Sequence, residues 1–137
     1  MLFRRCRRRA AALVEFAFIA PILLLFLIGV VVAGLGVFRY QEVASLAREG
    51  ARYASVHGKR YQDVTGNPAA TPEDVYENAI RPKAVALDMN RLSYSVTWDP
   101  GNRQGDRVRV QVTYQWIPEA FLGGIQLRGT STMPISY

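Results

Sequence analysis

The sequence predicts an α+β fold: one long N-terminal helix, a second short helix, and a small antiparallel sheet of about three strands. Three observations carry this reading. Residues 10–38 form an apolar run in which Glu15 is the only ionisable side chain. A three- and four-residue apolar period continues through residues 41–57, and from residue 92 onward the period switches to two.

The apolar run is long enough to cross a bilayer. Phe16 to Phe38, at about 1.5 Å per residue, reaches roughly 35 Å, against a hydrocarbon core of about 30 Å. The formal charge of +6 is unevenly placed. Arg4, Arg5, Arg7, Arg8 and Arg9 stand in one block before the run, and the rest of the chain is nearly balanced, with twelve cations against eleven acids. A nucleic-acid binder spreads its cations over a face or groove, whereas a block beside an apolar run acts as a topology signal. The block keeps the N-terminus in the cytoplasm and sends the residues after Arg39 across the membrane. A cleavable signal would use Val31-Val32-Ala33 as its cutting site before Gly34. The apolar segment, however, far exceeds the ~7–15 residues of an ordinary signal core, so an uncleaved span is expected.

Within the run, Pro21 lacks an amide hydrogen and crowds the carbonyl of Ala17, which predicts a kink or local unwinding. Gly29, Ala33 and Gly36 fall on one face and would let another helix approach closely. After the run, Val43, Leu46, Ala47, Gly50, Tyr53, Ala54 and His57 keep helical spacing, opposite Glu42, Arg48, Glu49 and Arg52. One continuous helix from about Ala11 to Val56, bent at Pro21, is expected. Gly58 and the polar stretch to Pro72 should end it.

Thr71-Pro72-Glu73-Asp74 reads as a helix start, with a capping threonine, a proline in the first turn, and acids favoured by the helix dipole. That helix should run to about Arg81, break or kink at Pro82, and resume toward Met89. Leu92, Tyr94, Val96 and Trp98 then alternate with polar residues, as do Val108, Val110, Val112, Tyr114 and Trp116. Asp99-Pro100-Gly101-Asn102 opens the turn between them. Ile125, Leu127, Gly129, Ser131, Met133, Ile135 and Tyr137 continue the alternation in a third strand, which Pro134 places at an edge. The sheet's apolar face should pack on the amphipathic half of the long helix, with its four aromatic residues in the core.

Reactive constellations are missing from the pattern. His57 is the one histidine and lacks neighbours at metal-ligand spacing. Asp99 and Asp106 do not form the alternating acids of a calcium loop, and no nucleophile elbow or phosphate-binding loop occurs. Cys6, the single cysteine, lies before the apolar run and excludes an internal disulfide. These features predict no enzyme, no cofactor, no metal, no nucleic acid and no small-molecule substrate.

Glu15 stands apart, because a carboxylate in a membrane helix calls for a cationic partner. The stretch RRRAAALVEFA resembles the processing region of type IV pilin-like proteins. More fully, RRRAAALVEFAFIAP, the leucine-rich helix and EVASLAREGARYASV resemble the TadE-like family, minor pseudopilins of tight-adherence (Flp) pilus systems, over roughly residues 8–57. The resemblance implies a pilin-like α+β fold and cleavage by a prepilin peptidase between Ala10 and Ala11, leaving Glu15 fifth and Phe16 sixth in the mature chain. Family members commonly carry glycine before the cut, where this chain has Ala10. The new ammonium group at Ala11 would lie four residues before Glu15, on the same helix face.

Under this reading residues 1–10 are a basic cytoplasmic leader, 11–57 a transmembrane helix continuing as an amphipathic one, and 58–137 an extracytoplasmic α+β domain. Its partners would be the membrane, other pilin-like subunits, the prepilin peptidase and the inner-membrane assembly platform. The alternative is an unprocessed single-pass anchor whose periplasmic domain binds an envelope or secretion-system partner.

Overall fold

The computed structural model describes residues 2–118 and 123–137, with side chains described from residue 13 onward. Helix α1 (Leu2–Val56) is followed by α2 (Lys59–Thr65) and α3 (Pro72–Val75). The coil of α3 continues through a π-turn at Tyr76–Ile80 and a 3₁₀ turn at Arg81–Lys83. After a further 3₁₀ turn at Met89–Arg91 come β1 (Leu92–Asp99), β2 (Arg107–Trp116) and β3 (Ile125–Pro134). This is the α+β composition expected: a long apolar helix, short helices and a three-stranded antiparallel sheet. The chain divides into two compact units, Met1–Leu35 and Gly36–Tyr137.

The first unit is helical throughout its described residues. The helix passes through Pro21 without interruption, so of the kink or local unwinding expected there, the unwinding is absent. A proline removes one rung of the ladder, and the turns on either side can hold the rest, as is common in membrane helices.

The second unit is built on the remainder of α1. Val43, Leu46, Ala47, Gly50, Ala51 and Ala54 are buried on the face the spacing predicts, while Arg48 and Arg52 face outward. The sheet order is β1-β2-β3, with Val110 of the central strand opposite Val96 on one side and Ser131 on the other. Val108, Val110, Val112, Tyr114 and Trp116 point inward and are buried. Each fully buried valine or leucine contributes roughly 1.5–3 kcal/mol relative to exposure.

Helix and sheet meet through small residues. A Cβ on Gly50 would lie 3.0 Å from Val110, and one on Gly129 would lie 2.7 Å from the Val43 carbonyl oxygen and 2.8 Å from Ala44 Cα. The alanine-rich face of α1 is therefore used inside its own domain. β3 lies at an edge of the sheet, as Pro134 predicts.

Three further expectations change. Residues 59–65, read as polar connection, form α2, which ends at Gly66 in the left-handed region (φ 76°) with its amide on the Gln62 carbonyl. The helix after Pro82 does not resume. Ala84 leaves helical geometry (ψ 54°), and α1 side chains hold both backbone groups of Ala86: Arg39 donates to its carbonyl, and its amide donates to Glu42 at 3.3 Å. Finally, the third strand stops at Pro134 instead of reaching Tyr137. The Ile135 amide turns to the Asp106 carbonyl at 2.8 Å, and the Ser136 amide to the Ser55 carbonyl at 2.9 Å.

Candidate functional site

The sequence singles out the apolar segment, and its geometry is plain. From Leu13 to Phe38 every described Leu, Ile and Phe is exposed, with Phe18 at 74% and Leu25 at 75%. Soluble monomers rarely show contiguous apolar patches beyond a few hundred Å², so this surface has a non-aqueous partner. α1 is the one helix among the described residues that is long and apolar enough to cross a membrane. An N-terminal membrane anchor follows.

Glu15 and Phe16 both lie exposed on this helix, and Glu15 has no ion-pair partner among the described residues. Ala10 and Ala11 fall within the backbone of α1. Their side chains, like those of Arg4, Arg5, Arg7, Arg8 and Arg9, lie outside the described residues. The four-residue step from Ala11 to Glu15 corresponds to about 6 Å of helix rise, on one face.

The small residues expected to pack against another helix divide into two groups. Gly29 has nothing within 4 Å of a Cβ position, and Ala33 is exposed. Gly36 is instead taken up by its own domain: a Cβ there would lie 2.8 Å from the Trp116 ring. Two further contacts escaped the sequence reading. Arg39 and Glu42 form an ion pair at 3.6 Å and together grip Ala86, fastening residues 84–88 to α1. An arginine ending an apolar run with a glutamate three residues on is a local signal for such a pair, but its loop partner is not.

The remaining polar groups perform structural tasks. His57 Nδ1 lies 2.9 Å from the Tyr53 carbonyl, its ring stacks on Tyr53 at 4.1 Å, and its edge meets Tyr61 at 4.6 Å. These rings border an open cleft of about 270 Å³ that also includes Asp74. Asp74 is engaged as the N3 residue of a reciprocal cap: it accepts the Thr71 amide at 2.9 Å and hydroxyl at 2.7 Å, and its own amide donates to the Thr71 hydroxyl at 3.2 Å. Those bonds hold its carboxyl below the usual aspartate range. Burial, aided by Asp74, pushes the Tyr53 phenol up. Among the described residues, no three His, Cys, Asp or Glu side chains converge as metal ligands.

The strand aromatics serve the core. Tyr114 and Trp116 are buried, Tyr94 and Trp98 half-buried, and Tyr94 stacks on Tyr76 at 4.5 Å. Asp99 ends β1 and Asp106 lies in the β1–β2 turn, where it accepts the Arg103 amide at 3.0 Å.

Comparison with known proteins bears on one part of the chain. Neither the curated proteins nor the solved structures contain a match. The family model described as TadE-like protein matches residues 10–52. That stretch holds Ala10, Ala11, Glu15, the apolar segment and most of the amphipathic half of α1, and the similarity to the TadE-like family is confined to it.

Proposed function

We propose that this protein is a minor pseudopilin that takes part in assembling a tight-adherence (Flp, type IVb-type) pilus. The observation that carries the reading is the placement of Glu15 four residues after Ala11, at the start of an apolar helix, inside the TadE-like segment 10–52. A prepilin peptidase cuts between Ala10 and Ala11 on the cytoplasmic side. The ammonium group released at Ala11 then neutralises Glu15, in the same chain or in an adjacent subunit. In a low-dielectric setting such a pair is stronger than at a surface, and it would set the axial register of packed helices.

The arginine block stays in the cytoplasm, and the domain after Arg39 lies in the periplasm. Gly29 and Ala33, open on the helix surface, are where neighbouring pilin-like subunits pack. The role is structural: the chain is a subunit for the assembly platform and not an enzyme.

The test is Glu15→Gln in a strain lacking the native copy. Surface pili should fall to the level of the deletion strain while the variant still accumulates in the membrane. Normal piliation in either strain contradicts the assembly role. One observation favours a second reading, an unprocessed anchor whose periplasmic domain binds an envelope or secretion-system partner: Ala10 stands where the family commonly has glycine.

A further inference from the structure

We infer that the cleft bordered by Tyr53, His57, Tyr61, Asn67 and Asp74 binds a guanidinium or ammonium group, and is of a size to take one basic side chain. Local chain geometry builds it. α2 follows α1 after Gly58, and the Ala70 amide donates to the His57 carbonyl at 2.8 Å, which ties the far end of this connection back to the end of α1. The Thr71–Asp74 cap then holds Asp74, half-buried like Tyr53, His57 and Tyr61, in the lining.

The hydrogen bonds already made decide which groups are left over. Asp74 accepts both Thr71 bonds at Oδ2, so Oδ1 is free, and the carboxylate has no ion-pair partner among the described residues. A carbonyl oxygen only accepts, so the contact of His57 Nδ1 with the Tyr53 carbonyl, 2.9 Å, puts the ring hydrogen on Nδ1. Nε2 of the neutral ring is then an acceptor. Asn67 spends Nδ2 on the Tyr61 hydroxyl at 3.3 Å and keeps its carbonyl oxygen. The free groups are therefore mainly acceptors, one of them charged, set among three aromatic rings. No lysine or arginine lines the cleft, and Arg60, next to Tyr61, is engaged with Gln104 at 2.5 Å.

A complementary ligand carries positive charge and several N–H donors and can lie against an aromatic ring, which guanidinium and ammonium groups do. An anion would be repelled by Asp74. A metal ion would lack ligands, because no three His, Cys, Asp or Glu side chains converge among the described residues. The volume, about 270 Å³, is below the ~300–1,000 Å³ of ordinary small-molecule pockets and suits a single side chain. All of these residues belong to the second compact unit, so the inference is independent of the membrane span, processing and pilus assembly.

His57 is the chain's one histidine, so ¹⁵N-histidine labelling reports its ring alone. The full chain in zwitterionic detergent, at about pH 8, is titrated with three probes. N-acetyl-arginine amide stands for a protein side chain and spermidine for a free amine, while N-acetyl-citrulline amide has the shape of arginine without its charge. At least one cation should shift the His57 signals saturably, and citrulline amide should bind about tenfold more weakly than arginine amide or not at all. Tighter binding of arginine amide assigns the site to a protein partner, and tighter binding of spermidine to a free amine; either supports the inference. No saturable response to either cation, or an equal response to citrulline amide, overturns it. Asp74→Asn, which keeps an oxygen for the Thr71 cap, should weaken the cation about tenfold while His57 keeps its Nδ1-protonated signature. Unchanged affinity in that variant also overturns the inference. Should the variant lose that signature, the citrulline comparison decides on the wild-type chain.

Discussion

Single residues set how closely the parts of the domain approach. Gly129 lets β3 pass against α1, and a methyl group there would meet the backbone of Val43 and Ala44, which cannot swing aside. Gly129→Ala should destabilise the protein by about 1–3 kcal/mol, measured by chemical denaturation of the full chain in detergent. Gly58 is comparably tight: a Cβ would lie 2.5 Å from the Tyr137 carbonyl oxygen. Asp74 predicts a pH effect. Its carboxyl is held below the ordinary value of about 3.9 by the Thr71 hydroxyl and amide, so the folded state binds its proton less readily than the unfolded chain. The stabilisation is complete above about pH 5 and disappears as pH falls through the ordinary value to the folded one. The unfolding midpoints of wild type and Asp74→Asn should therefore differ most near neutral pH and converge as pH falls below the ordinary aspartate value.

At the scale of elements, buried area decides what holds and what was readable. Leu46 is 2% exposed on the face of α1 that meets the sheet, and Leu46→Ala should cost about 2–5 kcal/mol. Val85, 87% exposed in the loop gripped by Arg39 and Glu42, should tolerate alanine within about 0.5 kcal/mol in the same unfolding assay. The same contrast explains legibility. α1 and the strands write their burial into the sequence as periods of about four and two, and the Thr71–Asp74 cap is a local signature. α2 buries none of its residues, so no apolar period announced it. Residues 84–88 take their shape from side chains more than forty positions away. Of the candidate site, the apolar span was readable because its chemistry is local. Gly36 was read as part of a helix-packing stripe because its partner, Trp116, is distant in sequence and close only in the fold.

At the scale of the whole molecule, the two compact units suit different surroundings. The apolar stretch of α1 calls for lipid or other apolar helices, and the second unit has a core of its own. Membrane retention should survive alkaline carbonate extraction, because a span of this length is bound far more strongly than a surface helix. The same segment carries the TadE-like match and the one carboxylate of the apolar run, so the proposed function puts anchoring and assembly on one helix. The most direct test of the central claim is the N-terminal sequence and intact mass of the protein purified from membranes of a strain with a working tight-adherence system. A chain beginning at Ala11 is the predicted result. A chain beginning at or near Met1 contradicts processing and leaves the anchor reading, and one beginning at Gly34 contradicts both by showing a secreted protein.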